Sequence, residues 1–100
     1  MNIFEKTYDL VAKIPKGKVT TYASLAKLVR TNPRVIGYAL HVNKDPDNVP
    51  CHRVINSKGK VSLGYAFGGP GIQQKMLEDE GVVFDKTGVT NLKKFGYLID

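Results

Sequence analysis

The feature that most narrows the fold is the placing of chain breakers. Pro15-Lys16-Gly17-Lys18, Arg30-Thr31-Asn32-Pro33 and the polar run from Asn43 to Asn48 recur at short intervals through the first half. Between them apolar residues fall at helical spacing, so these segments are short amphipathic helices rather than one long one. Asn2 with Glu5 three residues later forms a capping box, and Ile3, Phe4, Leu10, Val11 and Ile14 follow on one face. Val19-Thr20 allows one strand rung. Thr21 is placed to cap a second helix with Leu25, Ala26, Leu28 and Val29 inward, and Asn32 with Pro33 opens a third. Two short helices joined by a tight turn suggest a helix-turn-helix.

The second half is more varied. Arg53-Val54-Ile55 and Lys60-Val61 flank Asn56-Ser57-Lys58-Gly59, a hairpin signal with glycine in the loop. Lys58 and Lys60 can reach a phosphate from such a tip, or simply solubilise it. Pro70 or Gly71 begins a last long helix with Ile72, Met76 and Leu77 inward and Gly81 as its C-terminal cap. A small hairpin over Val82 to Val89 and a short helix within Asn91 to Tyr97 complete the chain. The expected fold is mainly α (α+β): one winged-helix-like domain over residues 1–100, with a helix-turn-helix and a short β-hairpin wing. At 42% hydrophobic content, 100 residues can bury a core without metal or disulfide staples.

Charge is distributed unevenly. Residues 1–60 carry 11 Lys or Arg against 4 acids, a net +7, and residues 61–100 carry 4 against 5, a net −1. The basic half holds the helices and the thiol, which suits a polyanion such as nucleic acid; small lysine-rich domains are also basic merely for solubility. One cysteine excludes an internal disulfide, and two histidines with one thiol fall short of a metal cluster, so no metal is expected. A free thiol suits a reducing cytosol, and no apolar run is long enough for a signal peptide or membrane span. The expectation is a soluble, cytoplasmic or nucleoid-associated monomer.

Chemistry concentrates in Val49-Pro50-Cys51-His52-Arg53-Val54, where the only cysteine adjoins one of the two histidines. Free thiols titrate near ~8.5, and a nucleophilic one needs an imidazole, a cation or a helix N-terminus to lower that value. Neighbours on a strand point to opposite faces, so Cys51 and His52 cooperate only through a bend or a bridging water. Pro50 favours the bend. A buried apolar filler is the other reading of a lone cysteine. On the third helix Val35, Ile36, Ala39 and Leu40 face one way, and Arg34, Gly37, Tyr38 and His41 the other. That second set supplies a cation, a glycine, an aromatic ring and an imidazole, as a DNA-facing surface needs. Glu80, at the end of the long helix, is disfavoured there by the helix dipole and needs a partner.

Pro50-Cys51-His52-Arg53-Val54-Ile55, followed by Gly68-Gly69 and Leu77-Glu78-Asp79-Glu80-Gly81-Val82, resembles the DNA-binding and active-site domain of the O6-alkylguanine-DNA alkyltransferases. The resemblance runs from about Ile3 to Phe84. It implies that Cys51 takes an alkyl group from O6 of a flipped-out guanine in duplex DNA and keeps it, with no cofactor. It further implies that the third helix enters the minor groove with Arg34 inserted into the base stack, and that Tyr22 pushes the target phosphate. By the same resemblance Asn43 holds the turn before the cysteine, Glu80 orients His52 in a Cys51, water, His52 relay, and Tyr22 gives the leaving guanine its proton. The base pocket is expected from Val54, Tyr65, Phe67 and Gly68, and Arg53 is assigned to anchoring the turn. Two departures stand out: the turn before Arg34 is about two residues shorter than usual, and Tyr38 replaces a small residue.

Two other functions compete. The tail is similar to that of the short alkyltransferase-like proteins, which bind alkylated guanine without repairing it; those commonly carry tryptophan in place of the cysteine, and this chain has no Trp. A winged-helix transcription factor reading the major groove would need more Asn, Gln and Arg on the exposed face of the third helix. The glycine-rich Gly64 to Gly71 lacks the Gly-Lys-Ser/Thr ending of a phosphate-binding loop. Its aromatics are either a stacking wall for a flipped base or hydrophobic core under a loop.

Overall fold

The computed structural model describes residues 1–99. Its elements run α1 (Ile3–Ala12), β1 (Thr20–Thr21), α2 (Tyr22–Val29), α3 (Pro33–His41), a 3-10 turn (Cys51–Arg53), β2 (Val54–Ile55), α4 (Gly69–Asp79) and α5 (Leu92–Phe95). Residue 100, the end of the expected single domain, lies outside the described residues. Among the described residues no helix is long and apolar enough to cross a membrane.

Local chemistry sets the helix starts. Asn2 and Glu5 exchange side-chain-to-backbone bonds at the head of α1, Thr21 accepts from the Ser24 amide at α2, and Asn32 accepts from the Val35 amide at α3. Each cap satisfies an amide that has no partner in the first turn. Helix α2 ends with Arg30 in the left-handed region (φ 61°), and the Thr31 amide reaches back to the Ala26 carbonyl. Helices α1, α2 and α3 pack on one another, α2 and α3 as the expected helix-turn-helix pair. Their core joins Val11, Ile14, Leu25, Ala26, Val29, Ile36 and Leu40 to Cys51 and Val54.

A second cluster, Val19, Ile55, Leu77 and Val82, lies under Phe84, Leu92 and Phe95. The sheet links the two. Strands β1 and β2 pair in parallel, Thr20 opposite Val54 and Thr21 opposite Ile55. This corrects the simple hairpin expected around Asn56: Val54–Ile55 pairs with β1, and Lys60-Val61 forms no strand. The turn itself is present, closed by the Asn56 amide on the Lys60 carbonyl at 3.0 Å and by Asn56 Oδ1 on the amides of Lys58 and Lys60. Gly59 in that turn has φ +82°, and a Cβ there would come within 2.7 Å of the Thr90 carbonyl. The wing is thus a turn packed against the C-terminal segment. That segment also docks on Val19, whose amide and carbonyl bond Phe95 and Tyr97 at 2.8 Å each.

Three apolar assignments change. Leu28 and Ile72 are about half exposed, at 51% and 47%, and Ile3 lies at the surface. The inward positions are Thr7 on α1 and Gln73 on α4, both fully buried. Both side chains are satisfied, Thr7 within its own helix by donating to the Ile3 carbonyl at 2.7 Å, and Gln73 by bonds to the backbone of Ser62, His52 and Val54. Hydrogen bonding removes most of the cost of burying such groups.

Candidate active site

Pro50 begins the site. It caps the 3-10 turn, and the Arg53 amide closes it on the Pro50 carbonyl at 2.9 Å. A tight turn does not force neighbours onto opposite faces as a strand does, and both Cys51 and His52 are buried, at 4% and 6% exposure. Asn43, also buried, holds the preceding loop: its amide donates to the Val49 carbonyl at 2.9 Å and its oxygen accepts from the Asp45 amide. Burial pushes the Cys51 thiol above its usual range, opposed in part by a hydrogen bond from Asn43 and by its own backbone. Burial thus favours the protonated thiol over the thiolate.

At the end of α4, Glu80 gathers four donors. His52 Nε2 lies 2.7 Å from Oε2, Arg53 Nε and Nη2 each bond at 2.9 Å, and the Gly17 amide reaches Oε1 at 3.3 Å. Burial alone would raise the carboxyl pKa. The bonds from Arg53 and His52, the charge His52 carries whenever it is protonated, and the Gly17 amide outweigh it and hold Glu80 below the ordinary carboxylate value. The third arm of Arg53, Nη1, donates to the Ile14 carbonyl at 2.8 Å. Together Glu80 and Arg53 thus tie the thiol turn to the end of α4 and to the loop after α1, the carboxylate through Gly17 and the guanidinium through Ile14. Gly17 has φ +86°, and a Cβ there would stand 3.0 Å from the Glu80 carbonyl. This glycine permits both the turn and the close approach.

Cys51 borders a narrow hollow of about 20 Å³, shared with Tyr22, Gly37, Leu40, His41, Gly64, Tyr65 and Ala66. That is room for about one water molecule, not for a purine. Tyr22, the first residue of α2, has its hydroxyl 2.5 Å from Ser62 Oγ. Burial raises its pKa, the Ser62 bond lowers it, and nearby Cys51 adds to the rise. Tyr65 donates to Met76 Sδ at 3.5 Å and is pushed up to about 12, mainly by burial. The Phe67 ring meets Tyr65 edge-on at 5.9 Å. Gly68, with φ +130°, caps α4. Val54 stands apart from this lining, buried in the core opposite Thr20. A wider hollow of about 380 Å³ adjoins it, lined by Tyr22, Ala23, Pro33, Arg34, Gly37, Asn56 and Ser57.

On α3, Arg34, Tyr38 and His41 are exposed, Gly37 and Val35 are half-buried, and Ile36, Ala39 and Leu40 are buried. The Tyr38 ring lies 5.8 Å from that of Phe4, so α1 braces it from the side. A buried Cys-His turn backed by a carboxylate and opening toward a helix-turn-helix is a specific combination. The sequence profile of the 6-O-methylguanine DNA methyltransferase DNA-binding domain matches residues 2–82. The chain belongs to this family.

Among relatives of this O6-alkylguanine repair family, alkyltransferase-like protein 1 of Schizosaccharomyces pombe is 38% identical over 92 residues, 90% of this chain and 85% of that protein. The methylated-DNA–protein-cysteine methyltransferase of Thermococcus kodakarensis is 40% identical over 79 residues, 78% of this chain but 44% of that protein. The chain therefore spans less than half of that methyltransferase. In three dimensions S. pombe Atl1, solved in complex with damaged DNA containing O6-carboxymethylguanine, superposes with TM-score 0.79 at 36% identity, covering 95% of this chain and 94% of that one. The Mycobacterium tuberculosis protein OGT in complex with DNA gives 0.71 at 30% identity, over 80% and 50%.

Several residues around this alkyltransferase-family site escaped the sequence reading. Leu40 lines the thiol hollow beside Gly64 and Ala66 of the loop expected as a stacking wall, Ser62 holds Tyr22, and the fully buried Gln73 accepts from the Ser62 amide. Only Gln73 left a trace: it lies four residues before Leu77, on the inward face of α4, where a polar residue calls for partners.

Proposed function

We propose that this protein binds duplex DNA carrying O6-alkylguanine and transfers the alkyl group once, irreversibly, to Cys51. The observation that carries the reading is a buried thiol bordering a hollow next to the helix-turn-helix, with a His52–Glu80 pair at 2.7 Å behind it. Helix α3 enters the minor groove and Arg34 takes the place of the rotated base. A Cβ at Gly37 would meet nothing within 4 Å, so internal packing does not require glycine there; the open space suits an incoming backbone or base. The net +7 of residues 1–60 supports a phosphate-bearing partner.

The chemistry follows from the protonated thiol. Glu80 engages Nε2 of His52, which leaves Nδ1 to take the Cys51 proton through a bridging water. The thiolate then attacks the alkyl carbon: an S–C bond forms, the C–O6 bond breaks, and the departing guanine takes a proton from Tyr22. A thioether is not cleaved by water, so each molecule acts once. Asn43 and Arg53 hold the turn in place, and Tyr65, Phe67 and Gly68 supply the wall for the base.

The test is intact and peptide mass after mixing with an equimolar duplex containing one O6-methylguanine. One methyl gained in place of a proton, on the Cys51 peptide alone and only with modified DNA, supports transfer. A second reading, damage recognition without transfer, is favoured by the match over 85% of the alkyltransferase-like relative. It predicts no mass gain together with tighter binding to the modified duplex.

A further inference from the structure

We propose that Gln73 is a positioning residue that couples the base-pocket lid and Tyr22 to the thiol turn; this rests on the damaged-base recognition proposed above. Gln73 projects from α4 and is fully buried. Its oxygen accepts from the Ser62 amide at 2.8 Å, while its nitrogen donates to the His52 carbonyl at 3.1 Å and the Val54 carbonyl at 3.0 Å. The His52 carbonyl belongs to the residue next to Cys51, and the Val54 carbonyl to the strand that follows the thiol turn. Ser62 in turn holds the Tyr22 hydroxyl at 2.5 Å. One continuous chain therefore runs from the backbone beside the thiol, through Gln73 and Ser62, to the phenol at the mouth of the hollow.

The same chain anchors the start of the lid. Beyond Ser62, the segment Leu63 to Gly68 contributes Gly64, Tyr65 and Ala66 to the hollow, and it rejoins α4 at Gly68 and Gly69, whose φ values are +130° and +81°. Leu63 is 89% exposed. The lid is thus fixed at Ser62, is free of packing just after it, and re-enters the fold through two glycines. With only about 20 Å³ open beside Cys51, a base enters by displacement of this segment. Gln73 keeps the fixed end, and with it Tyr22, in register with the thiol while the rest moves. A buried amide is suited to this: it spans a donor and two acceptors that would otherwise be orphaned.

The variants are Gln73→Met, which keeps length and burial but loses all three bonds, and Ser62→Ala, which keeps the backbone bond to Gln73 and frees Tyr22. Both are measured alone and with Tyr22→Phe, and folding is checked by thermal melting. Single-turnover transfer from an O6-methylguanine duplex is expected to fall roughly 10- to 100-fold in Gln73→Met, with binding to unmodified duplex unchanged. Ser62→Ala is expected to slow transfer in the Tyr22 protein and to add nothing beside Tyr22→Phe, the non-additivity of one linked unit. A folded Gln73→Met protein with unaltered transfer, or equal effects of Ser62→Ala in both backgrounds, overturns the inference. Should Gln73→Met not fold, the Ser62 and Tyr22 cycle decides. If the unaltered protein transfers nothing, it is the transfer reading that fails. The same variants are then scored by the ratio of affinities for modified and unmodified duplex: loss of preference in Gln73→Met supports the inference, and an unchanged ratio overturns it.

Discussion

Arg53 and Arg34 are the same side chain in opposite circumstances. Around Arg53 every polar group is answered: two of its nitrogens grip Glu80, the third holds the Ile14 carbonyl, and the carboxylate also takes His52 and Gly17. Arg34 stands exposed on α3 beside a wide hollow, with Tyr38 and His41 exposed further along the same helix. The first region spends its polar groups on holding one geometry, and the second leaves them exposed at the surface, as the proposed DNA contact requires. Changes in the thiol turn should therefore alter stability or chemistry within the protein, and changes at the exposed Arg34 and His41 of α3 should alter only what the protein does with DNA.

The largest effect sharpens the first half of that contrast. Cys51→Ser is expected to abolish the mass gain from O6-methylguanine duplex while leaving affinity for it intact, checked by mass spectrometry alongside a binding titration. Glu80→Ala comes next. It leaves the Arg53 guanidinium without its carboxylate in a site where the two side chains are 16% and 11% exposed. The cost is expected at about 3 kcal/mol, the low end for a broken buried pair, read from urea unfolding. A loss under about 0.5 kcal/mol would put the turn in the same class as the surface.

Arg34→Ala tests the other side. Affinity for the modified duplex is expected to fall about tenfold, or roughly 1.4 kcal/mol, with unfolding unchanged within about 0.5 kcal/mol. A lowered melting temperature would break the contrast, since it would mean that Arg34 supports the fold. The smallest expected effect is on the acid side of the stability curve. Glu80 has its folded pKa below the ordinary 4.5, so the stability it contributes is complete above that pH and is lost as pH falls through the lower folded value. Unfolding followed below about pH 4.5 should therefore be less steep in Glu80→Ala than in the unaltered protein.

Much of this was legible in the chain, for reasons that differ by region. The caps at Asn2, Thr21 and Asn32 act within three residues, so sequence neighbours alone reveal where the helices start. The inward faces of the helices were legible where an apolar residue met the core, as at Val11, Leu25 and Ile36. They were not legible at Leu28 and Ile72, because spacing says which residues share a face but not how wide a stripe the neighbours cover. The wing was misjudged for a similar reason: Val54–Ile55 pairs with Thr20–Thr21, and no local signal distinguishes a strand that folds back on its own turn from one that pairs with a distant segment.

By itself, the sequence determined the breakers and caps that make short helices, the basic first half, and the Cys51-His52-Arg53 run whose resemblance points to the alkyltransferase family. These depend on groups close along the chain or on composition. Only the tertiary structure decided that Glu80 would serve Arg53 as well as His52, that Gly17 must be small to let Glu80 approach, that Gln73 would be buried across three segments, and that burial would push the Cys51 thiol upward beside a hollow of about 20 Å³. Desolvation and long-range hydrogen bonds arise only when distant segments close together, and no order of residues states in advance which groups that closure will strand and which it will pair.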